Sequence, residues 1–549
     1  MPFSHQFLKI LGLSSVVFLT ACGGDSDSDS DSSTDSGSSS GSNNSSLAGT
    51  TSFSESLVLG KRFFITSPQS NGVTDISTAV FASSGNTVNW GEGYIDSADG
   101  SDYFLEEYSW SVDSGKMSVD GTGSIKSSSD DYLVVCFYED DNSSDCDGDD
   151  NNERWYVDKD KANAYVTSSS TGGTSVNLNL ITDSVLKAQF TALEFDYIEQ
   201  VEEINRQDAG ITSVAGLQQF TELEKLTLYE NQISDISDLS ALINLRWLLI
   251  SDQVDSNGDD LNLESYDAID SMTKLIKLEL SEYDSDNRPE KFDLAAFIND
   301  TSADKTNLEF LFFWGLPLTN TDVAAIDGLT SLRKLSISEG VVTDFDQWNT
   351  TWNNVTELRV SGNTAKATLS LAELVSGGIV WSNIEKLELS NTDIDGTDLV
   401  TILDGVSGSD GSLRFLDIQN TNITSYDAFD NYSLPKLERI KLKYGAGSSN
   451  RATYDLGGDL PFTKSKMTRL EIENGDISNF DVASYTSLER LDIRDSNITD
   501  TTVADFKAAL AGLSSLSRVD IGNAQIAGAS FTCNDIGVGT STTATSCRQ

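Results

Sequence analysis

From residue 223 onward one short pattern, apolar-x-x-apolar-x-apolar, recurs along the chain. It appears as Leu223/Leu226/Leu228, Leu245/Leu248/Ile250, Leu275/Leu278/Leu280, Leu308/Leu311/Phe313, Leu332/Leu335/Ile337 and Val355/Leu358/Val360. It continues as Ile384/Leu387/Leu389, Leu413/Leu416/Ile418, Leu437/Ile440/Leu442, Met467/Leu470/Ile472, Leu488/Leu491/Ile493 and Leu516/Val519/Ile521. A degenerate copy, Val201/Ile204 with Arg206 in the third apolar place, opens the series. Successive copies start 22, 22, 30, 33, 24, 23, 29, 29, 24, 30, 21 and 28 residues apart. Alternating apolar residues over so few positions predict short strands with one buried face. No single copy can enclose a core, so the copies must stack into a curved solenoid with a parallel sheet on its concave side. The longer copies leave room for helices on the convex side, over Asp398 to Val406 and Thr502 to Leu510.

The copy Leu223-Glu224-Lys225-Leu226-Thr227-Leu228-Tyr229-Glu230-Asn231-Gln232-Ile233 is similar to the consensus of leucine-rich repeats, and the 22-residue copies resemble those of bacterial internalins. The resemblance implies an α/β leucine-rich-repeat solenoid over 201–528, with a mixed helical and irregular convex side. Its open ends need covers. Residues 176–200, with a helix over Asp183 to Phe190, are expected to supply one, and 529–549 the other.

Ahead of the repeats, 51–175 reads as a small antiparallel barrel or sandwich. Short β-rich runs alternate with Gly, Asn, Asp and Ser clusters: Leu57 to Thr66, Ala79 to Ala82, Thr87 to Trp90, Tyr103 to Val112, Lys116 to Val119, Tyr132 to Tyr138, Trp155 to Val157 and Ala164 to Thr167. The stretches Leu59-Gly60-Lys61-Arg62-Phe63-Phe64 and Trp110-Ser111-Val112-Asp113-Ser114-Gly115-Lys116 are loosely similar to small lipocalin-like domains. That likeness implies a pocket for an apolar ligand, although Phe81, Trp90, Trp110 and Trp155 equally suit a plain core.

The N-terminus reads as a leader. Lys9 precedes the apolar run Ile10 to Leu19, too short to span a bilayer, and Leu19-Thr20-Ala21-Cys22 resembles the lipobox of bacterial lipoproteins. The resemblance implies that 1–21 is a signal peptide and that Cys22 carries the acyl chains, which anchor the protein to a membrane. Gly23 in the next place points to the outer membrane or cell surface, with the periplasmic leaflet as the alternative. The segment 22–50 is rich in Ser, Asp, Gly and Asn and cannot bury enough apolar area to offset its ordering entropy, so it is expected to be a solvated tether. With Cys22 lipidated, Cys136 with Cys146 and Cys533 with Cys547 are the economical disulfides, crossed pairings being the alternative.

Charge and missing chemistry narrow the function. Basic residues number 36 and acidic ones 86, a formal charge of −50, which argues against nucleic acid. The one histidine, His5, falls in the leader, so a mature chain has no imidazole for a Ser-His-Asp or Cys-His engine. Carboxylate chemistry, such as that of a glycosidase, stays open, but no defined carboxylate pair stands out. Asp145, Asp147 and Asp149 crowd one hairpin tip where Ca2+ would relieve their repulsion, and Asp255 to Asp259 form a similar loop. Neither matches an EF-hand, and a solvated loop is the simpler expectation.

The outward places of the concave strands are the expected working surface. Counting the first apolar residue of each copy as place one, places three and five should face solvent. Place three runs Lys225, Trp247, Lys277, Phe310, Lys334, Glu357, Lys386, Phe415, Arg439, Arg469, Arg490, Arg518, and place five is largely acidic toward the C-terminus. Cross-strand ion pairs explain that arrangement without any ligand, a charged docking face on the last four copies being the alternative. Trp247, Leu249, Phe310, Phe312 and Trp314 break it, and large apolar groups in such places mark partner-binding sites unless the long insertions cover them. The expected function is non-catalytic binding of a protein or polysaccharide on the concave face. A small-ligand carrier in the β domain is the alternative.

Overall fold

The computed structural model describes residues 46–549, apart from 70, 96–105, 120–121, 139–151, 260, 282–291, 300–304, 316–319, 339–353, 363–380, 409–410, 424–425, 427–428, 430, 444–451, 456–461, 539–545 and 549. It divides into two compact units, one formed by the chain up to Arg206 with Val214–Glu224, the other by Gln207–Ser213 with Lys225–Gln549.

The first unit is built on nine strands: β1 (Arg62–Pro68), β2 (Thr74–Phe81), β3 (Thr87–Glu92), β4 (Glu106–Ser109), β5 (Ser111–Asp113), β6 (Lys116–Ser118), β7 (Thr122–Ser128), β8 (Tyr132–Tyr138) and β9 (Asn152–Tyr156). Their order in the sheet is β4-β3-β2-β1-β9-β8-β7-β6-β5. β4 and β5 sit at opposite edges, yet only Trp110 separates them in sequence. The sheet must therefore curl until its edges nearly meet, forming an almost closed antiparallel barrel. Trp110 holds that corner, its backbone N–H donating to Asn86 O at 2.8 Å and its indole N–H to Thr87 O at 3.2 Å.

Aromatic rings fill the barrel. Trp155 is fully buried and lies 5.4 Å from Phe63, 5.4 Å from Trp90, 5.9 Å from Phe53, 5.9 Å from Phe137 and 6.4 Å from Phe81. Its indole N–H is satisfied by Glu153 Oε2 at 3.0 Å. This packing fits the core reading of Phe81, Trp90, Trp110 and Trp155.

Three expectations for this region are corrected. Ala164 to Thr167 is not a strand but part of the helix Lys159–Ser169, because Asp158 caps its first turn by accepting from Lys161 N–H, and Ala162 and Val166, four residues apart, share its buried face. The Ser-rich β7 had no apolar alternation to reveal it; pairing with β8 imposes its extended backbone. Leu47, placed within the tether, is 2 % exposed in the barrel core, tied by its N–H to Asp130 O at 3.3 Å.

The helix Ser184–Leu193 also belongs to this unit. Asp183 accepts from Val185 and Leu186 N–H at 2.9 and 3.1 Å, Phe190 stacks on Phe220 at 4.6 Å, and Leu193 O accepts from Tyr94 N–H at 2.8 Å.

In the second unit the repeat pattern becomes a parallel sheet running from Lys225–Thr227 to Ser546–Arg548. Leu226, Leu248, Leu278, Leu311, Leu335, Leu358, Leu387, Leu416, Ile440, Leu470, Leu491 and Val519 align across it as one row, none more than 1 % exposed. Seven copies then turn at place eight in the left-handed conformation, at Glu230, Asp252, Asn391, Asn420, Asn474, Asp495 and Asn523, with φ between 54° and 56°. Asn and Asp tolerate that geometry better than other side chains with a Cβ. Gly315 takes the same place with φ 71°, and Asp208, with φ 45°, gives the degenerate first copy the same turn. The next place ties neighbouring copies together: buried Asn231 accepts from Ala209 and Ile211 N–H at 3.1 Å and donates to Leu228 O at 2.9 Å.

Helices form on the longer copies at Gly396–Val406 and Val503–Ala511. A second small sheet, Ala452–Asp455, Gly475–Ser478, Asn497–Ile498, Gln525–Ile526 and Ala529–Ser530, backs the last copies and was not foreseen. The Cys533–Cys547 disulfide is present, and Cys547 lies opposite Val519, adding a final strand to the sheet. Cys136 is buried on β8 and disulfide-bonded, while Cys146 and Cys22 lie outside the described residues.

Candidate functional site

Places three and five do not share the concave surface equally. Along place three the cations and most rings are half-exposed, whereas the acids of place five are covered: Asp417 and Asp492 have no accessible surface, Asp520 has 1 % and Glu388 5 %. This corrects the expectation that both places face solvent. Long basic side chains from adjacent strands fold over the short carboxylates, which the row spacing of about 4.8 Å allows.

In the N-terminal copies the basic side chains lie over rings. Lys225 Nζ is 4.6 Å from the Trp247 centroid; Lys277 Nζ lies 5.4 Å from both Trp247 and Phe312. Arg359 stands 5.5 Å from Trp314, and Lys386 and Lys441 flank Phe415 at 5.3 and 5.7 Å. Each distance falls within the range of cation–π attraction. Burial pushes the Lys277 and Lys386 ammonium groups below their ordinary range, and acids in their own rows oppose it. Glu279 keeps partial exposure at the concave mouth, but the walls of neighbouring copies push its carboxyl up, opposed by Lys277 and by the Ser251 hydroxyl, which donates to it at 2.9 Å.

The expected partner-binding residues do come together. Trp247, Leu249, Phe312 and Trp314 are half-exposed on one concave stretch, with Trp247 in register with Lys277 and, beyond it, Phe310. Phe310 departs from expectation: it is 3 % exposed, covered by Lys334 Nζ at 5.8 Å and the Arg333 guanidinium at 5.9 Å from its ring. Aromatic residues of the long insertions pack underneath: Phe292 lies 5.2 Å from Tyr266, 5.6 Å from Phe297 and 6.3 Å from the inward-facing Phe313.

Acids take part from the middle copies onward, where Lys334 meets Glu357 at 2.6 Å and Arg359 meets Glu388 at 2.9 Å, and they dominate the C-terminal copies. Arg490 reaches Asp520 at 3.0 Å and Asp492 at 3.3 Å; Arg494 bridges Glu473 at 2.6 Å and Asp492 at 2.9 Å; Arg518 meets Asp520 at 2.9 Å. Lys443 pairs with Glu473 at 2.9 Å and Lys441 with Asp417 at 3.5 Å. Burial, then Glu388, pushes the Asp417 carboxyl up to about 7 against the pull of Lys441.

Phe415 and its two lysines extend the ring-and-cation surface beyond the residues singled out from sequence. The alternation of place three, cation then ring, was the signal that pointed to it. Asp145, Asp147 and Asp149 lie outside the described residues. Among the described residues no group of three or more His, Cys, Asp or Glu is arranged to hold a metal ion. In the Asp255 loop the carboxylate accepts from Asn257 N–H at 2.7 Å and Asp259 N–H at 3.0 Å, contacts that lower its pKa and close the turn.

These features define a leucine-rich-repeat solenoid with a concave face of rings and cations, preceded by an aromatic-filled barrel. Among solved structures it is similar to an internalin (inlF) of Listeria monocytogenes, at 19 % identity and a TM-score of 0.38, over 69 % of this chain and 98 % of that one. The functional domain of InlJ from the same organism is 17 % identical over 65 % of this chain and 77 % of that one, with a TM-score of 0.36. The plant peptide hormone receptor RGFR1, in complex with RGF2, is 16 % identical over 62 % and 57 %, with a TM-score of 0.31. No protein-family model matches the sequence, and no curated protein does. The repeat fold is established by the strand register itself.

Proposed function

We propose that this protein is a non-catalytic binding protein that seats a protein or polysaccharide on the concave copies between Lys225 and Arg359. The observation that supports it is the set of half-exposed rings, Trp247, Phe312 and Trp314, on strands whose pattern calls for polar groups there. Lysines around the rings hold them in fixed orientation, which lowers the ordering cost of binding. Replacing Trp247, Phe312 and Trp314 together with Ala should weaken retention on cell-surface and glycan panels about tenfold or more, as loss of aromatic anchors does. Unchanged retention would remove these residues from the site.

The same reading places the protein at a bacterial outer membrane or cell surface, anchored by acyl chains on Cys22. Labelling with a fatty-acid analogue should mark the wild type and not Cys22→Ser. Equal labelling of both would end the anchor assignment.

A further inference from the structure

The place-three row follows a rule for most of its length. Identical charges on neighbouring strands would stand about 4.8 Å apart and repel. From Lys225 to Arg439 each cation is separated from the next by a ring or an acid: Trp247, Phe310, Glu357 or Phe415. Then the rule fails. Arg439, Arg469, Arg490 and Arg518 follow one another in register. Arg490 and Arg518 are neutralised by Asp492 and Asp520. For Arg439 and Arg469 the described residues provide no ion pair and no hydrogen-bonding side chain. Place five does not neutralise the pair: Arg439 shares its strand with Lys441, which pairs with Asp417, and with Lys443, which pairs with Glu473, while Glu471 and Glu489 favour the Arg469 charge only at a distance, without an ion pair among the described residues. Arg469, half-buried between Arg439 and Arg490, is pushed below the ordinary guanidinium range first by burial and then by those two neighbours.

Two adjacent, half-exposed guanidinium groups that form no ion pair among the described residues make a fork for an oxyanion. We propose that Arg439 and Arg469 clasp a carboxylate of an acidic polysaccharide lying along the concave face, a site that deepens the binding function proposed above and rests on it. The row itself favours a sugar chain over a peptide. Cations recur on alternate strands, about 10 Å apart, with half-exposed Trp247 and Phe415 between them. A polyuronate offers that alternation, ring faces beside regularly spaced carboxylates, whereas an acidic peptide offers the charges without the ring faces.

The test uses the whole protein with polygalacturonate, poly-L-glutamate and neutral dextran as probes, read by titration calorimetry. Polygalacturonate should bind the wild type, and Arg439→Gln with Arg469→Gln should weaken it about tenfold or more, as loss of charge-assisted hydrogen bonds does. Arg414→Gln, at an exposed arginine paired with Glu438, should leave it unchanged. Removing two mutually repelling cations should leave the unfolding midpoint equal or higher; a clear fall would show that they are structurally paired and overturn the site. Poly-L-glutamate binding without polygalacturonate binding overturns the polysaccharide assignment. Binding that ignores both arginines but needs Trp247 and Trp314 overturns the site while sparing the proposed function. Failure of both polymers to bind overturns the inference.

Discussion

The N-terminal and C-terminal stretches of the concave face meet the same problem with different chemistry. A repeat solenoid stacks equivalent positions in columns, so any charge favoured in one copy tends to confront itself in the next. Between Lys225 and Phe415 the cations lie largely against rings, with Lys334–Glu357 and Arg359–Glu388 as acid pairs; from Lys441 to Asp520 they are balanced by buried carboxylates, Arg469 excepted together with Arg439 just before them. Rings tolerate exposure and offer surface to a partner. Buried acids do neither, and they commit the arginines above them to structure. The difference shows where the fold has spent its polar groups on itself and where it keeps them available.

The contrast breaks most sharply at Asp492. This carboxylate has no accessible surface and accepts from Arg490 at 3.3 Å and from Arg494 through its Nε at 3.0 Å and a terminal nitrogen at 2.9 Å. Asp492→Ala leaves two arginines facing each other without their shared acid, which should cost about 3–5 kcal/mol. Trp247→Ala, in the aromatic stretch, removes a half-exposed ring and cation–π contacts worth about 0.5–1 kcal/mol each, and should cost far less. Urea unfolding followed by tryptophan fluorescence and by far-UV dichroism compares them. Equal costs would mean that the two stretches are held by similar forces.

How much of this was legible in the sequence follows from the range of the forces involved. The strand row from Leu226 to Val519 and the left-handed turns at Asn391, Asn420, Asn474 and Asn523 are written locally, in periodicity and in residues that tolerate positive φ. The aromatic cluster was legible too, because Trp247, Phe312 and Trp314 interrupt a pattern. What sequence could not show was covering. Phe310 looks as exposed as Phe312 until Arg333 and Lys334 are seen to lie over its ring, and Asp417 looks as solvated as Lys441 until the neighbouring strands close around it. Such burial depends on which way long side chains fold across copies some 20 to 30 residues apart. The strand β7 and the helix Lys159–Ser169 were missed for related reasons: pairing with β8 decides the first, and the Asp158 cap with packing of Ala162 and Val166 decides the second, outweighing the β preference of Tyr165, Val166 and Thr167.

The finer difference between the stretches lies at Asp417, on the strand Phe415–Asp417 where ring chemistry gives way to acids. Its carboxyl is surrounded by Glu388, Lys441, Glu471 and the Gln419 backbone N–H, and burial outweighs the favourable contacts to raise its pKa to about 7. An aspartate in an unfolded chain titrates near 4, so the folded protein holds the proton more tightly. The stability this contributes is fully present below about pH 4 and is lost as pH rises through about 7. The unfolding midpoint should therefore fall between pH 5 and pH 8 by more in the wild type than in Asp417→Asn, where the amide keeps the shape and cannot ionise. The comparison between the two proteins removes the background from the other carboxylates, which repel less in acid for both. Parallel pH profiles would show that Lys441, 3.5 Å away, already holds Asp417 ionised, and that the acid network begins one strand earlier than its chemistry suggests.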